Sequence, residues 1–195
     1  MPMKIYFIRH GETDWNVENK IQGSNDIDLN ENGISQALAL GEKVKKLGLP
    51  IHKLYTSPQI RARKTAELLS EALEIEYKIA EGLEEMNLGR WEGLTWKQVK
   101  EEDSEAFHQW YPNRSMQKTP DGESYREVLS RSLAAVQSIL KKESKDIAIV
   151  SHGAVIKCLL CHINKVPFDH MNQFQTANTS IIEVDADHFL SKLDS

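Results

Sequence analysis

The strongest constraint on the fold comes from two runs, Lys4–Ile8 (KIYFI) and Ile147–Val150 (IAIV). Neither has the alternating polar positions of a strand with one wet face, so both read as strands buried on two sides. Segments of helical period separate such runs. Glu31–Leu47 places Ile34, Leu38, Val44 and Leu47 at helical intervals, with Gly48 just beyond as a stop. Ser57-Pro58 opens a helix to about Leu73, with proline suited to its first turn. Asp121 caps a helix to about Lys142, with Val128, Leu129, Leu133, Val136 and Leu140 on one face. Ala154–Ile163 is a mostly apolar helix, and Lys53–Tyr55, Ile75–Ile79 and Thr179–Val184 are further strand candidates. Strands alternating with helices imply an α/β protein, a three-layer α/β/α sandwich around a mostly parallel central sheet.

A chain of 195 residues suits a single domain spanning 1–195. Its net charge of −5 gives no reason to expect nucleic acid or a membrane surface as a partner, so attraction of an anion must rest on local positive charge. The N-terminus lacks the long apolar stretch of a signal peptide, and no run approaches the roughly 18 apolar residues of a membrane span. A cytoplasmic location is expected. Cys158-Leu159-Leu160-Cys161-His162 spells the string of covalent haem attachment and contains a C-x-x-C pair. Its setting in an apolar helix favours two buried thiols over haem, zinc or redox chemistry.

In a parallel sheet, ligands bind beyond the carboxyl ends of the strands. Three such ends carry Arg9-His10-Gly11, Thr56-Ser57-Pro58 and Ser151-His152-Gly153, and Arg61 lies in the first turn of the helix after Pro58. One edge of the sheet would then gather two histidines and two arginines. The arginine fork suits phosphate oxygens, a helix N-terminus favours anions, and histidine is a nitrogen nucleophile near neutral pH. His10 and His152 each precede a glycine that permits a tight turn, whereas His52, His108, His162, His170 and His188 have no such setting and are read as structural.

The string Arg9-His10-Gly11-Glu12-Thr13, with Trp15 and Asn16, resembles the signature of the histidine phosphatase superfamily, the phosphoglycerate mutase-like enzymes. The resemblance continues in order through Ile21-Gln22-Gly23, Asp28-Leu29, Gly33, Gln36-Ala37, Ser57-Pro58-x-x-Arg61-Ala62-x-x-Thr65-Ala66 and Leu83-Glu84-Glu85-Met86-Asn87-Leu88-Gly89. Trp91-Glu92-Gly93, Pro120-Asp121-Gly122-Glu123-Ser124 and Val150-Ser151-His152-Gly153 complete it. It implies a small helical and loop cap at about 81–120. It implies further that His10 attacks phosphorus and becomes phosphohistidine, that Arg9, Arg61 and His152 hold the phosphate oxygens, and that Asn16 adds an amide. Gln22, Gly23 and Gly153 would lie near the substrate. Glu85, four residues before Gly89, matches the proton donor better than the adjacent Glu84. Glu12, Thr13 and Asp14 would brace the loop, and Arg63 and Lys64 would point elsewhere. No metal or cofactor is called for, because cationic side chains can supply the charge that phosphoryl transfer needs. The two arginines should also lower the pKa of His10 and keep it neutral.

Members of this superfamily return the phosphoryl group to substrate or give it to water. Between Gly93 and Asp121 this chain is shorter than the cofactor-dependent mutases and is more similar to the small broad-specificity and α-ribazole-type phosphatases. A phosphatase acting on a small phosphorylated metabolite is expected, with a mutase as the alternative. A non-catalytic relative would be expected to lack His10, Glu85 or His152, and all are present. Trp96, Phe107, Trp110 and Tyr111 are suited either to pack on a substrate or to hold the cap together. Arg114 and Lys118 are suited either to meet a second acidic group or to sit in solvent. A homodimer is compatible with the sequence.

Overall fold

The computed structural model describes residues 2–193. Five strands, β1 (Lys4–Arg9), β2 (Lys53–Thr56), β3 (Tyr77–Ile79), β4 (Ile147–Ser151) and β5 (Ile181–Asp185), form one sheet in the order β3-β2-β4-β1-β5. The first four run parallel, and β5 closes one edge antiparallel to β1. The helices are α1 (Asp14–Val17), α2 (Glu31–Leu47), α3 (Ile60–Leu73), α4 (Trp96–Glu102), α5 (Ser104–Trp110), α6 (Tyr125–Leu140), α7 (Gly153–Ile163) and α8 (Ala186–Leu190).

Side chains alternate along a strand, so an all-apolar strand must feed two cores. Ile5, Phe7, Ile147 and Ile149 face one core, closed by Val128 and Val136 of α6, Val155 and Leu159 of α7 and Phe189 of α8. Tyr6, Ile8, Ala148 and Val150 face the other, closed by Leu40 and Val44 of α2 and Ala62, Ala66 and Leu69 of α3. The three-layer sandwich follows directly. No helix among the described residues is long and apolar enough to cross a membrane.

Several local expectations are corrected. The buried face of α2 is Gly33, Ala37, Leu40, Gly41 and Val44, while Ile34, Leu38 and Leu47 are exposed. The reason is close packing on α3, where a Cβ on Gly41 would stand 2.5 Å from that of Ala72, so small residues rather than large ones mark the contact. On α6, Leu129 and Leu133 are only partly buried, and Ser132, Ala135 and Ile139 share the inner face with Val128, Val136 and Leu140. Asp121 does not cap this helix. Ser124 does, in a reciprocal capping box with Glu127, and the helix ends at Leu140. Pro58 precedes α3, whose cap residue is Gln59. The expected strand Ile75–Ile79 shortens to the exposed edge strand β3, and β5 begins two residues later than expected, at Ile181. The cap at about 81–120 contains α4 and α5, the former started by the Thr95–Gln98 capping box.

Cys158 and Cys161 are free thiols on the buried face of α7, as the apolar setting implied. Burial pushes the Cys158 thiol well up and Cys161 up to about 11, which disfavours the reactive thiolate. His162 turns away from both and donates from Nε2 to the Lys192 carbonyl at 2.8 Å.

Candidate active site

β2, β4 and β1 lie side by side, and their register aligns Arg9 with Ser151 and Thr56 with Val150. The residues that follow, Ser57, His152 and His10, therefore emerge along one edge. The His10 N–H donates to the Ser151 carbonyl at 3.1 Å, and the Ser57 N–H to that of Val150 at 3.0 Å. The imidazoles of His10 and His152 are both buried, with ring centroids 5.2 Å apart. His10 Nδ1 donates to the Gly11 carbonyl at 2.7 Å. That bond assigns the proton to Nδ1 and leaves the lone pair on Nε2. His10 lines the cleft, whereas His152 stands behind it with Nε2 against Ser57 Oγ at 2.8 Å.

Gly11 is required by proximity rather than by a left-handed turn. A Cβ there would meet the Gly33 carbonyl oxygen at 2.6 Å, and one on Gly33 would meet the Glu12 carbonyl oxygen at 2.0 Å. The start of α2 thus presses on the His10 loop. Gly153 carries no such constraint, since a Cβ there would lie 3.7 Å from Arg9 Nε. Glu12 and Thr13 brace this loop: Glu12 accepts from Asn30 and Asn32, and Thr13 caps α1.

Arg61 is fully buried and donates to the Asn25 and Gly23 carbonyls at 2.8 and 2.9 Å. The loop carrying those carbonyls is gripped by Glu92, whose carboxylate accepts from the Ser24 N–H, the Ser24 hydroxyl and the Asn25 amide. Arg9 donates to the Thr176 carbonyl at 2.7 Å. A guanidinium has five N–H donors, so both arginines keep hydrogens in reserve. Arg9 Nε, Arg61 Nε and His152 Nδ1 are buried and have no hydrogen-bond partner. The unmet guanidinium donors suit an anion.

The Glu85 carboxylate accepts from the N–H of Ala154, at the start of α7, at 3.2 Å and lines the cleft. Glu84 instead accepts from the Gly82 N–H and pairs with Arg131 at 3.5 Å, away from the cleft lining. The segment is held from two sides. Gln59 accepts from the Glu85 N–H at 2.8 Å while donating to the Gly23 carbonyl, and Arg131 of α6 donates to the carbonyls of Gly82, Glu84 and Glu85.

Asn16 Oδ1 faces the Thr13 N–H at 3.1 Å and Asn178 Nδ2 at 3.3 Å. Those donors fix its amide with Nδ2 available as a donor. Asn178 also donates to the His10 carbonyl at 2.9 Å, and Thr13 Oγ1 donates to Gln22 at 3.0 Å. Asn16, Gln22, Gly23 and Gly153 all line the cleft.

Burial, then the charges of Arg61 and Arg9, hold the His10 pKa well below its usual value against the opposing Gly11 bond. Burial also dominates at His152, followed by Arg61, His10 and Arg9. Both rings are therefore neutral when folded. In the unfolded chain each takes up a proton as pH falls through about 6.5. The unfolded state then binds more protons, so stability present above about pH 6.5 is lost on acidification by ~1.4 kcal/mol per pH unit for each histidine. Urea unfolding between pH 7.5 and 5.5 should show a mean slope shallower by about half a proton in His152→Asn than in the wild type, the difference approaching about one proton toward pH 5.5. Equal slopes would contradict a neutral His152.

The cleft encloses about 420 Å³, within the range of small-molecule sites. Among the described residues no group of three or more His, Cys, Asp or Glu side chains could hold a metal ion. The cap aromatics pack on one another and also line the cleft. Trp96 stacks on Trp110 at 5.8 Å, Trp91 meets Trp110 edge-on at 5.1 Å, and Trp96, Phe107, Trp110 and Tyr111 line the cleft. Arg114 also lines it but is tied to Asp169 at 3.1 Å and lies over the Tyr111 ring. Lys118 is outside the lining and pairs with Glu127 at 2.6 Å. The sequence alone does not distinguish Gln59, Arg131, Thr176 and Asn178, and marks Glu92 only as part of the Trp91-Glu92-Gly93 motif. Their roles depend on partners up to 168 residues away, as in the Asn178–His10 contact.

The sequence model of the histidine phosphatase superfamily (branch 1) matches residues 5–194. The metal-independent phosphoserine phosphatase of Arabidopsis thaliana is 33% identical over 170 residues, covering 83% of this chain and 69% of the relative. The Salmonella arizonae protein named "Probable phosphoglycerate mutase GpmB" is 32% identical over 184 residues, covering 94% and 85% respectively. The solved α-ribazole phosphatase of Shigella flexneri superposes with a TM-score of 0.83 at 26% identity, covering 94% of this chain and 90% of that one.

Proposed function

Because the chain belongs to branch 1 of the histidine phosphatase superfamily, we propose that it is a phosphomonoester phosphatase that passes a phosphoryl group through His10 to water without a divalent cation. Its substrate is a small phosphorylated metabolite. The observation that carries this reading is the state of His10: a buried neutral imidazole, its Nδ1 proton tied to the Gly11 carbonyl, its Nε2 left as a lone pair within the field of buried Arg61 and half-buried Arg9. That combination favours attack on phosphorus and also binds the group attacked.

In the proposed sequence, Arg9, Arg61 and Asn16 take the phosphate oxygens, with His152 supporting them from behind His10. His10 Nε2 forms a bond to phosphorus as the ester P–O bond breaks. Glu85 supplies the proton to the departing alkoxide and becomes a carboxylate. The same carboxylate then takes a proton from water, whose oxygen attacks the phosphohistidine, releasing inorganic phosphate and restoring neutral His10. Transfer of this kind is helped mainly by positioning and by charge on the equatorial oxygens, which the two guanidinium groups provide.

A phosphomonoester panel assayed in EDTA, with His10→Ala alongside, tests the reading. Phosphate release that survives EDTA and vanishes in His10→Ala is expected. Activity abolished by EDTA and untouched by His10→Ala would overturn it. The mutase alternative draws support from the name of the Salmonella relative. It predicts interconversion of phosphoglycerates, primed by bisphosphoglycerate, faster than phosphate release.

A further inference from the structure

The chain carries a net charge of −5, yet its cleft is lined by Arg9, Lys20, Arg61, Lys100, Arg114 and Lys157 against Glu85 as its one acidic residue. Two of the six, Arg9 and Arg61, form the phosphate cradle described above. Lys20 is neutralised by Glu18 at 2.6 Å and Arg114 by Asp169 at 3.1 Å. Lys100 is exposed and lies over the Phe107 ring. Lys157 differs from all of these. It is half-buried, close enough to Arg9 and Glu85 to feel both charges, and has no carboxylate partner among the described residues. Its Nζ donates to Asn172 Oδ1 at 3.1 Å, which leaves the Asn172 amide hydrogens to donate as well. Lys157 stands three residues after Ala154, whose N–H holds Glu85, and so lies on the same side of α7 as the proton donor. A partly desolvated ammonium without a directly paired carboxylate is costly, and a ligand carboxylate would offset that cost.

We propose that Lys157 and the Asn172 amide form a subsite for a carboxylate on the substrate, making phosphate esters of hydroxy acids and amino acids preferred over those of neutral alcohols. This rests on the phosphatase reading, and the subsite lies on the wall between the phosphate cradle and the turn that carries Asn172.

O-Phosphoserine and O-phosphoethanolamine differ only in the carboxylate and test the subsite directly. The wild type should favour phosphoserine in kcat/KM. Lys157→Met should reduce that preference about 10–100-fold, chiefly through KM, Lys157→Arg should keep most of it, and Lys157→Glu should reverse it. A preference unaltered by Lys157→Met and Lys157→Glu would overturn the subsite while leaving the phosphatase reading intact. Turnover of neither ester would count against the phosphatase reading instead. Calorimetric binding of phosphoserine would then decide the subsite: tighter binding by wild type than by Lys157→Met supports it, and equal binding overturns it.

Discussion

Glu85→Gln is expected to lower the hydrolysis of alkyl phosphomonoesters by about 10²–10⁴-fold, the usual contribution of a general acid. The loss on p-nitrophenyl phosphate should be much smaller, because its leaving group needs little protonation. Glutamine preserves size and can keep the contact with the Ala154 N–H, but it cannot deliver a proton. The neighbouring glutamate gives an internal control. Glu84 is engaged by Arg131 and by the Gly82 N–H, so Glu84→Gln should not produce this dependence on leaving group. Steady-state rates on the two substrate classes check the assignment. Equal losses on both classes in Glu85→Gln would remove Glu85 from the donor role.

Arg61→Met is expected to lower kcat/KM by about 10²–10³-fold for alkyl and aryl esters alike, since stabilisation of the phosphoryl oxygens does not depend on the leaving group. Arg61 also holds the Gly23 and Asn25 carbonyls, so some of the loss would come from the loop. Arg61→Lys separates the contributions: it keeps a charge but cannot reproduce the fork. A large loss in Arg61→Lys, with thermal unfolding close to wild type, supports oxygen binding by the guanidinium. Near-wild-type kinetics in Arg61→Met would contradict it.

The two cores and the sheet were legible because β1 and β4 are buried on both faces and their sequences state this without interruption. Arg9, His10, Arg61 and His152 are legible for a related reason: each ends or directly follows a strand or sits in the first turn of the next helix, so the sheet alone brings them together. Glu85 was not legible in that way. It lies in an irregular segment whose shape depends on Gln59 from one side and Arg131 from the other, and only the family resemblance singled it out. The buried face of α2 departs from the pattern of its large apolar residues because its tight contact, Gly41 against Ala72, buries small residues and leaves larger ones outside. The start of α6 was misplaced although Ser124 and Glu127 stand at capping-box spacing, a signal that outweighs the nearby Asp121. Asn178 and Thr176 carried no local signal, since they act on His10 and Arg9 from the far end of the chain.

In the proposed reaction His10 itself carries the phosphoryl group between substrate and water. Rapid quenching of the enzyme with ³²P-labelled phosphoserine or another hydrolysed ester, followed by peptide mapping, examines that step directly. A phosphoprotein stable in alkali and labile in acid is expected, its label on the peptide containing His10, formed and lost fast enough to lie on the path of turnover and absent in His10→Ala. Sustained turnover by His10→Ala, or wild-type turnover with no labelled enzyme when phosphohistidine breakdown limits the rate, would contradict it.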